Sequence, residues 1–214
     1  YCVEATASSR ATVDGFEALE AIPAPSPEAK SEGLRRVASA LSASDLLRIA
    51  DRPGMDPTLV DAMLSRLIEH GPRPGLRMDD PHAIFEGIML LVRTRLALKR
   101  PDLALVALNA LPPSPPGVDP AKSLRLRIIA LLWTNHIAEA VALNAPAEDW
   151  LDGFEAAIGE PHARAVFREI KTRFGPTLTL EETRRFDHLA MRIITNPSID
   201  DPTPPNTSGA PGGR

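Results

Sequence analysis

The sequence predicts an all-α fold, built as an array of antiparallel helical hairpins. Apolar residues recur with the period of a helix along most of the chain, and no segment alternates apolar and polar residues as a strand would. Aromatic residues make up 4% of the chain, whereas hydrophobic residues make up 43%. This composition predicts a core of Leu, Ile, Val and Ala, which suits helix packing better than a β-sandwich.

Prolines mark the starts of the predicted helices. The chain has 22 prolines among 214 residues, and many of them follow a residue that can cap a helix. An Asp side chain accepts hydrogen bonds from the free N–H groups of the first turn, and proline has no N–H to leave unpaired. The pattern is clear at three Asp-Pro pairs and weaker at two others: Asp56-Pro57, Asp80-Pro81, Asp119-Pro120, Arg100-Pro101 and Glu160-Pro161. Thr179-Leu-Glu-Glu182 is a capping box.

Caps, periodicity and Gly/Pro turns together define the predicted helices. In chain order they cover residues 27–41, 43–50, 57–70, 81–99, 101–111, 120–134, 137–144, 147–158, 161–174 and 180–195. Residues 1–25 are predicted to be a flexible segment, and the Pro/Gly-rich residues 197–214 a disordered tail. Residues 26–196 remain as the helical repeat domain.

Two stretches of the chain, 36 residues apart, echo each other. Residues 97–110 read ALKRPDLALVALNA and residues 130–145 read ALLWTNHIAEAVALNA, so that Ala104 superposes on Ala140. Each stretch follows a long apolar run and a short polar break, and each continues into an Ala/Leu-rich helix. Self-similarity with such a period is typical of stacked helical hairpins.

On these residues the chain resembles the tetratricopeptide repeat (TPR) family. Leu98–Leu105 and Trp133–Val141 are similar to the family's turn into the second helix, with its small residue at Ala104 and Ala140. Four positions depart from the family: Val92 and Ile128 replace a small residue, and Arg95 and Leu131 replace an aromatic one. The resemblance covers residues 81–145. It implies a right-handed α-solenoid that binds proteins or peptides on a concave surface and has no chemistry of its own.

Charge and motifs narrow the function classes. The net charge is −4, and no basic block of the kind that nucleic-acid binders carry is present, so we predict no nucleic acid as main ligand. Cys2 is the only cysteine, and no two histidines share a helix face, so we predict no metal and no cofactor. The most apolar run, Ile88–Val92, falls far short of the ~20 residues of a membrane span. No phosphate loop or nucleophile elbow is present, and no catalytic residue is predicted.

Five residues are candidates for contact with a partner. Trp150 and Phe154 lie in an acidic stretch, and Trp is enriched at the hot spots of interfaces. Arg164, Arg168 and Lys171 form a basic stripe on the predicted helix 161–174, opposite an apolar stripe. This stripe is either the solvated face of an amphipathic helix or a surface for an acidic partner.

The leading functional hypothesis is a non-catalytic scaffold or adaptor that binds a protein or peptide. A second hypothesis is a helical accessory domain of a bacterial envelope or motility assembly, with a signal or membrane anchor upstream of Tyr1. A third is an enzyme domain of the helical-toroid type that uses acids such as Glu155 and Glu160. The Ala/Arg/Pro-rich composition indicates a GC-rich bacterial genome, and both the cytoplasm and the periplasm remain open as locations.

Overall fold

The computed structural model describes residue 26, residues 41–69 and residues 80–195. Every regular element within these ranges is an α-helix, which confirms the predicted all-α class. The predicted helix 27–41 lies outside the described residues except for Leu41. The predicted flexible segment 1–25 and the predicted tail 197–214 also lie outside them.

The described helices follow the predicted order with small differences at their ends. They are α1 (Ala43–Ala50), α2 (Pro57–Leu64), α3 (Arg66–Glu69), α4 (Pro81–Ala97), α5 (Pro101–Asn109), α6 (Pro120–Trp133), α7 (Ile137–Ala142), α8 (Ala147–Ala157), α9 (Ala163–Phe174) and α10 (Leu180–Thr195).

Two predicted helices differ from the structure in an instructive way. The predicted helix 57–70 divides at Ser65, whose hydroxyl donates to the carbonyl oxygen of Asp61 at 2.6 Å. Such a bond competes with the helical ladder and bends helices. The predicted helix 161–174 begins two residues late, because Pro161 and His162 form a turn in which the Ala163 N–H donates to the Glu160 carbonyl.

The Asp-Pro signals cap helices as predicted. Asp56, Asp80 and Asp119 each accept a hydrogen bond from the backbone N–H two residues ahead, at 2.9, 3.0 and 2.9 Å. At the start of α10 the carboxylate of Glu182 accepts from the hydroxyl and the N–H of Thr179, at 2.7 and 2.8 Å. These side-chain and backbone bonds hold the pKa of Glu182 below its ordinary value. The backbone N–H donors among these contacts belong to the groups that helix geometry leaves without an internal partner.

The chain divides into two compact units between Ala130 and Leu131, within α6. In the first unit α4 is central and packs against α1, α2, α3 and α5. Its residues Phe85, Ile88 and Leu91 are buried, as expected for a helix that is apolar nearly all round. This core is aliphatic apart from Phe85, in agreement with the sequence.

A charged cluster lies inside the first unit. Arg95 of α4 is only 5% exposed and donates to the carboxylate of Asp61, the hydroxyl of Ser65 and the carbonyl of Leu103, at 2.7, 2.8 and 2.8 Å. Arg100 reaches the second carboxylate oxygen of Asp61 at 3.2 Å. Buried charges need such complete pairing, and the bonds of Arg95 therefore fix α2, α4 and α5 in one arrangement.

The second unit has an aromatic core. Six of the nine aromatic residues of the chain lie in residues 131–195, and α8 packs against both α9 and α10. The rings of Phe154, Phe167 and Phe186 contact one another, with centroid distances of 4.9 to 6.2 Å. The prediction of a purely aliphatic core is therefore wrong for this unit, because a low average content does not show where the rings concentrate.

The backbone repeats the 36-residue echo at the two helix ends. Lys99 and Asn135 both adopt the left-handed conformation, with φ of 57° and 65°. The N–H of Arg100 then donates to the carbonyl of Arg95, and the N–H of His136 to that of Leu131, both at 2.8 Å. This 6→1 bond is the hallmark of the Schellman motif.

The helices that follow these two turns also correspond. The Ala104 N–H donates to the Arg100 carbonyl and the Ala140 N–H to the His136 carbonyl, both at 3.1 Å. Both alanines are fully buried. The predicted turn at each position is thus confirmed, while the family resemblance and the stacking of hairpins into a solenoid stay predictions.

Removing the buried guanidinium should destabilise the chain strongly. Arg95→Ala removes the buried partner of the Asp61 carboxylate and leaves it, among the described residues, only the bond from Arg100. We expect this to lower the free energy of unfolding by about 3 kcal/mol, measured by urea denaturation. Arg93→Ala is the matched control, because Arg93 is largely exposed; we expect a change within about 0.5 kcal/mol. Equal effects of the two substitutions would contradict the structural role of the cluster.

A glycine in place of Lys99 should relieve the backbone strain at the first Schellman turn. Left-handed geometry costs an L-residue about 1–2 kcal/mol and glycine almost nothing, so Lys99→Gly should raise the free energy of unfolding by about 1 kcal/mol. Asn135→Gly should gain less, since Asn tolerates this conformation. Lys122→Gly, within α6, should instead lose about 1 kcal/mol. Urea denaturation measures all three, and a loss of stability in Lys99→Gly would be the contrary result.

Candidate functional site

A groove of about 460 Å³ lies between α9 and α10 in the second unit. Its walls come from the first half of α9 and the last turns of α10. The lining residues are Arg164, Phe167, Arg168, Ala190, Ile193 and Ile194. Since the start of one helix meets the end of the next, and only residues 175–179 join them, the two helices form an antiparallel hairpin.

The periodicity of α9 places its two arginines at the groove. Ala163, Val166 and Ile170 are fully buried and hold the inner face of the helix against the core. Arg164 and Arg168 therefore project from the other side, one helical turn apart, where residues at i and i+4 are neighbours. Both arginine residues are exposed.

The floor of the groove is apolar and firmly supported. The ring of Phe167 stacks on Phe186 with a centroid distance of 4.9 Å and an interplanar angle of 2°. Ile193 is 5% exposed and closes the bottom, while its neighbour Ile194 is 74% exposed at the rim. An apolar surface of this kind releases water when a ligand covers it.

The arrangement can bind a ligand that is both anionic and apolar. A guanidinium presents a planar fork of donors that matches a carboxylate and binds it through two parallel hydrogen bonds. Two such groups stand beside an uncovered isoleucine and a fixed phenyl ring. A carboxylate next to an aliphatic side chain would satisfy both parts of the site.

The structure separates the five candidate residues into two groups. Arg164 and Arg168 line the groove, and Lys171 lies exposed one turn further along α9 without lining it. The basic stripe thus occupies the exposed face, as the sequence predicts. Its role in binding a partner stays a prediction.

Trp150 and Phe154 are core residues, which corrects their expected place at a partner surface. Neither side chain has any exposed area. The ring centroids of Trp150 and Phe174 lie 5.9 Å apart. The guanidinium carbon of Arg173 lies over the Trp150 ring, 5.5 Å from the centroid of that ring. The acidic neighbours in sequence made an exposed ring the expectation, but α8 turns Trp150 inward and buries the adjacent Asp149 with it, while Glu148 and Glu155 are exposed.

The apolar half of the groove was not predicted from the sequence. One signal was present: Ile193 and Ile194 are adjacent in an amphipathic helix, and two successive residues point about 100° apart around the helix axis. Only one of them can face the core fully. The other must be exposed at the end of α10.

The acids proposed for an enzyme site have separate structural partners. Glu155 pairs with Arg185 at 2.9 Å and with Arg192 at 3.6 Å. Glu160 accepts a hydrogen bond from the indole of Trp133 at 3.3 Å, and the ring of nearby His162 contacts the carbonyl oxygen of Leu132 at 2.8 Å. Neither glutamate lines the α9–α10 groove.

The described residues contain neither a cluster that could hold a metal ion nor a helix that could span a membrane. Across residues 41–69 and 80–195, no three His, Cys, Asp or Glu side chains lie close enough together to hold a metal ion. Among the described helices, none combines the length and the apolarity that a membrane crossing requires.

Comparison with protein-family models, with curated proteins and with solved structures gave no significant match to this chain. Function is therefore inferred from the geometry of the groove and the chemistry of its residues.

Truncating the buried indole should affect stability. Trp150→Ala should lower the free energy of unfolding by about 3–5 kcal/mol, measured by urea denaturation, because it empties a fully buried site. Trp150→Phe should cost less, since the indole Nε1 has no hydrogen-bond partner within the described residues. A Trp150→Ala variant as stable as the parent chain would contradict the core position of this ring.

Proposed function

We propose that the chain is a non-catalytic protein-binding module that holds an acidic, amphipathic segment of a partner protein in the α9–α10 groove. The observation that carries this proposal is the pairing of Arg164 and Arg168 with an apolar floor that ends in the 74%-exposed Ile194. A single exposed aliphatic side chain is common on protein surfaces. A concave apolar surface flanked by two guanidinium groups is a more specific feature.

The dimensions support a short peptide segment as the ligand. A volume of about 460 Å³ lies within the range of about 300–1,000 Å³ that is typical of ligand sites. A space of this size takes a few side chains. Acidic residues on the partner would supply the carboxylates, and an Ile, Leu or Phe would fill the apolar part.

A second groove, which lies in the first unit, fits this role less well. Its volume is about 400 Å³, and its walls are mostly polar or charged: Ser44, Leu47, Arg48, Asp51, Asp80, His82 and Ala83. The Asp80 carboxylate there already caps α4. This groove has neither an aromatic floor nor a pair of basic side chains on one helix face.

Peptide selection on the full chain tests the proposal. A random peptide library displayed on phage should yield ligands in which Asp or Glu flank a large apolar residue. Arg168→Ala should weaken the best of these peptides by roughly tenfold, the effect of one charge-assisted contact. Ile194→Ser should have a similar effect through lost apolar burial.

Lys171→Ala is the matched control, because Lys171 is an exposed base on the same helix that does not line the groove. Its peptide affinity should equal that of the parent chain. Equal losses in Lys171→Ala and Arg168→Ala would show general charge attraction and contradict a specific site. Selected peptides that bind without regard to Arg168 and Ile194 would also contradict it.

A further inference from the structure

The chain itself continues from the rim of the groove. Ile193 and Ile194 line the groove, and α10 ends one residue later at Thr195. Residues 196–214 lie outside the described residues. Their sequence begins Asn196-Pro-Ser-Ile-Asp-Asp-Pro202, so that an isoleucine and two acids follow the helix end within six residues.

This short stretch has the chemistry that the groove selects. Ile199 matches the apolar floor, and Asp200 and Asp201 carry the charge that complements Arg164 and Arg168. Among residues 196–214, these two aspartates are the only acidic side chains. They stand next to Ile199, the only Ile, Leu, Val, Met or aromatic residue in that range.

The stretch is also within reach. From Thr195, five residues of extended chain cover about 16 Å. The arginines lie on the neighbouring helix, and adjacent packed helices have axes about 8–10 Å apart. Proline at 197 and at 202 disfavours helix in the residues before it, so the sequence favours an extended connection rather than a continuation of α10.

We propose that Ile199-Asp200-Asp201 binds in the α9–α10 groove of its own chain and competes there with the partner. The occupancy of the groove stands on its own, whereas the competition rests on the proposed function. A tethered ligand has an effective concentration in the millimolar range, so weak contacts are sufficient. The apparent affinity for a partner then falls in proportion to the fraction of open grooves.

Paramagnetic relaxation in the full chain tests the occupancy without any partner. A nitroxide is attached at Thr203→Cys in a chain that also carries Cys2→Ser, and the backbone amides of Arg164, Phe167 and Arg168 are observed by NMR. These amides are more than 30 residues away in sequence. We expect them to broaden strongly, and broadening should fall when Ile199→Ser, Asp200→Asn and Asp201→Asn are introduced together.

A matched control keeps the length of the tail and changes other polar residues. Asn206→Gln, Thr207→Ser and Ser208→Thr should leave the broadening unchanged. Equal broadening in the Ile199/Asp200/Asp201 variant and the parent chain would show only random proximity of the tail and overturn the proposal. Broadening that arises between molecules, seen by mixing spin-labelled chains with isotope-labelled chains, would assign the contact to a second copy and overturn it too.

Peptide affinity then separates this proposal from the proposed function. The Ile199/Asp200/Asp201 variant should bind a selected acidic peptide roughly tenfold more tightly than the parent chain, since the internal competitor is lost. If the variant and the parent chain bind the peptide equally but differ in broadening, the tail occupies the groove without competing with the partner, and the competition is overturned. Failure of every selected peptide to depend on Arg168, while the broadening pattern holds, would remove the proposed function alone.

Discussion

Satisfying the backbone at helix ends is the constraint on which this structure depends. The described helices run from four residues in α3 to 17 in α4, and most of them are no longer than the ~12–15 residues below which an isolated helix is marginal in water. Each end leaves N–H or C=O groups without an internal partner. The chain meets this need with Asp-Pro caps at the starts of α2, α4 and α6, and with Schellman turns after α4 and α6.

Side chains from elsewhere complete the same task. The guanidinium of Arg127 donates to the carbonyl of Leu108 at 2.8 Å near the end of α5, and His162 contacts the carbonyl of Leu132 near the end of α6. Arg95 adds a bond to the carbonyl of Leu103, in the first turn of α5, while it also pairs with Asp61. In this chain the contacts that hold helices together also give polar groups their hydrogen-bond partners. Arg95 can therefore occupy a core, because its guanidinium is paired there.

Local chemistry made most of the helices predictable from the sequence. The caps of α2, α4, α6 and α10 depend on residues within three positions of each other, so a single sequence shows them. The two Schellman turns are also local, since each 6→1 bond joins residues five positions apart, and the echo located them through Ala104 and Ala140. The inward orientation of Trp150 depends instead on how α8 packs against α9 and α10. No local pattern records that packing, because an acidic neighbourhood in sequence surrounds both exposed and buried rings.

Exposed apolar residues alone would not have identified the candidate site. Leu103 and Val106 on α5 are 41% and 55% exposed, yet they lie on a single convex helix and line neither of the two grooves described above. Ile194 differs because α9 runs beside it and contributes Phe167 and two arginines to the same concavity. The antiparallel hairpin creates this coincidence: it brings the first, basic turns of one amphipathic helix to the last, apolar turns of the next. Specific recognition arises there because burial of the apolar floor and pairing of the charges must occur together.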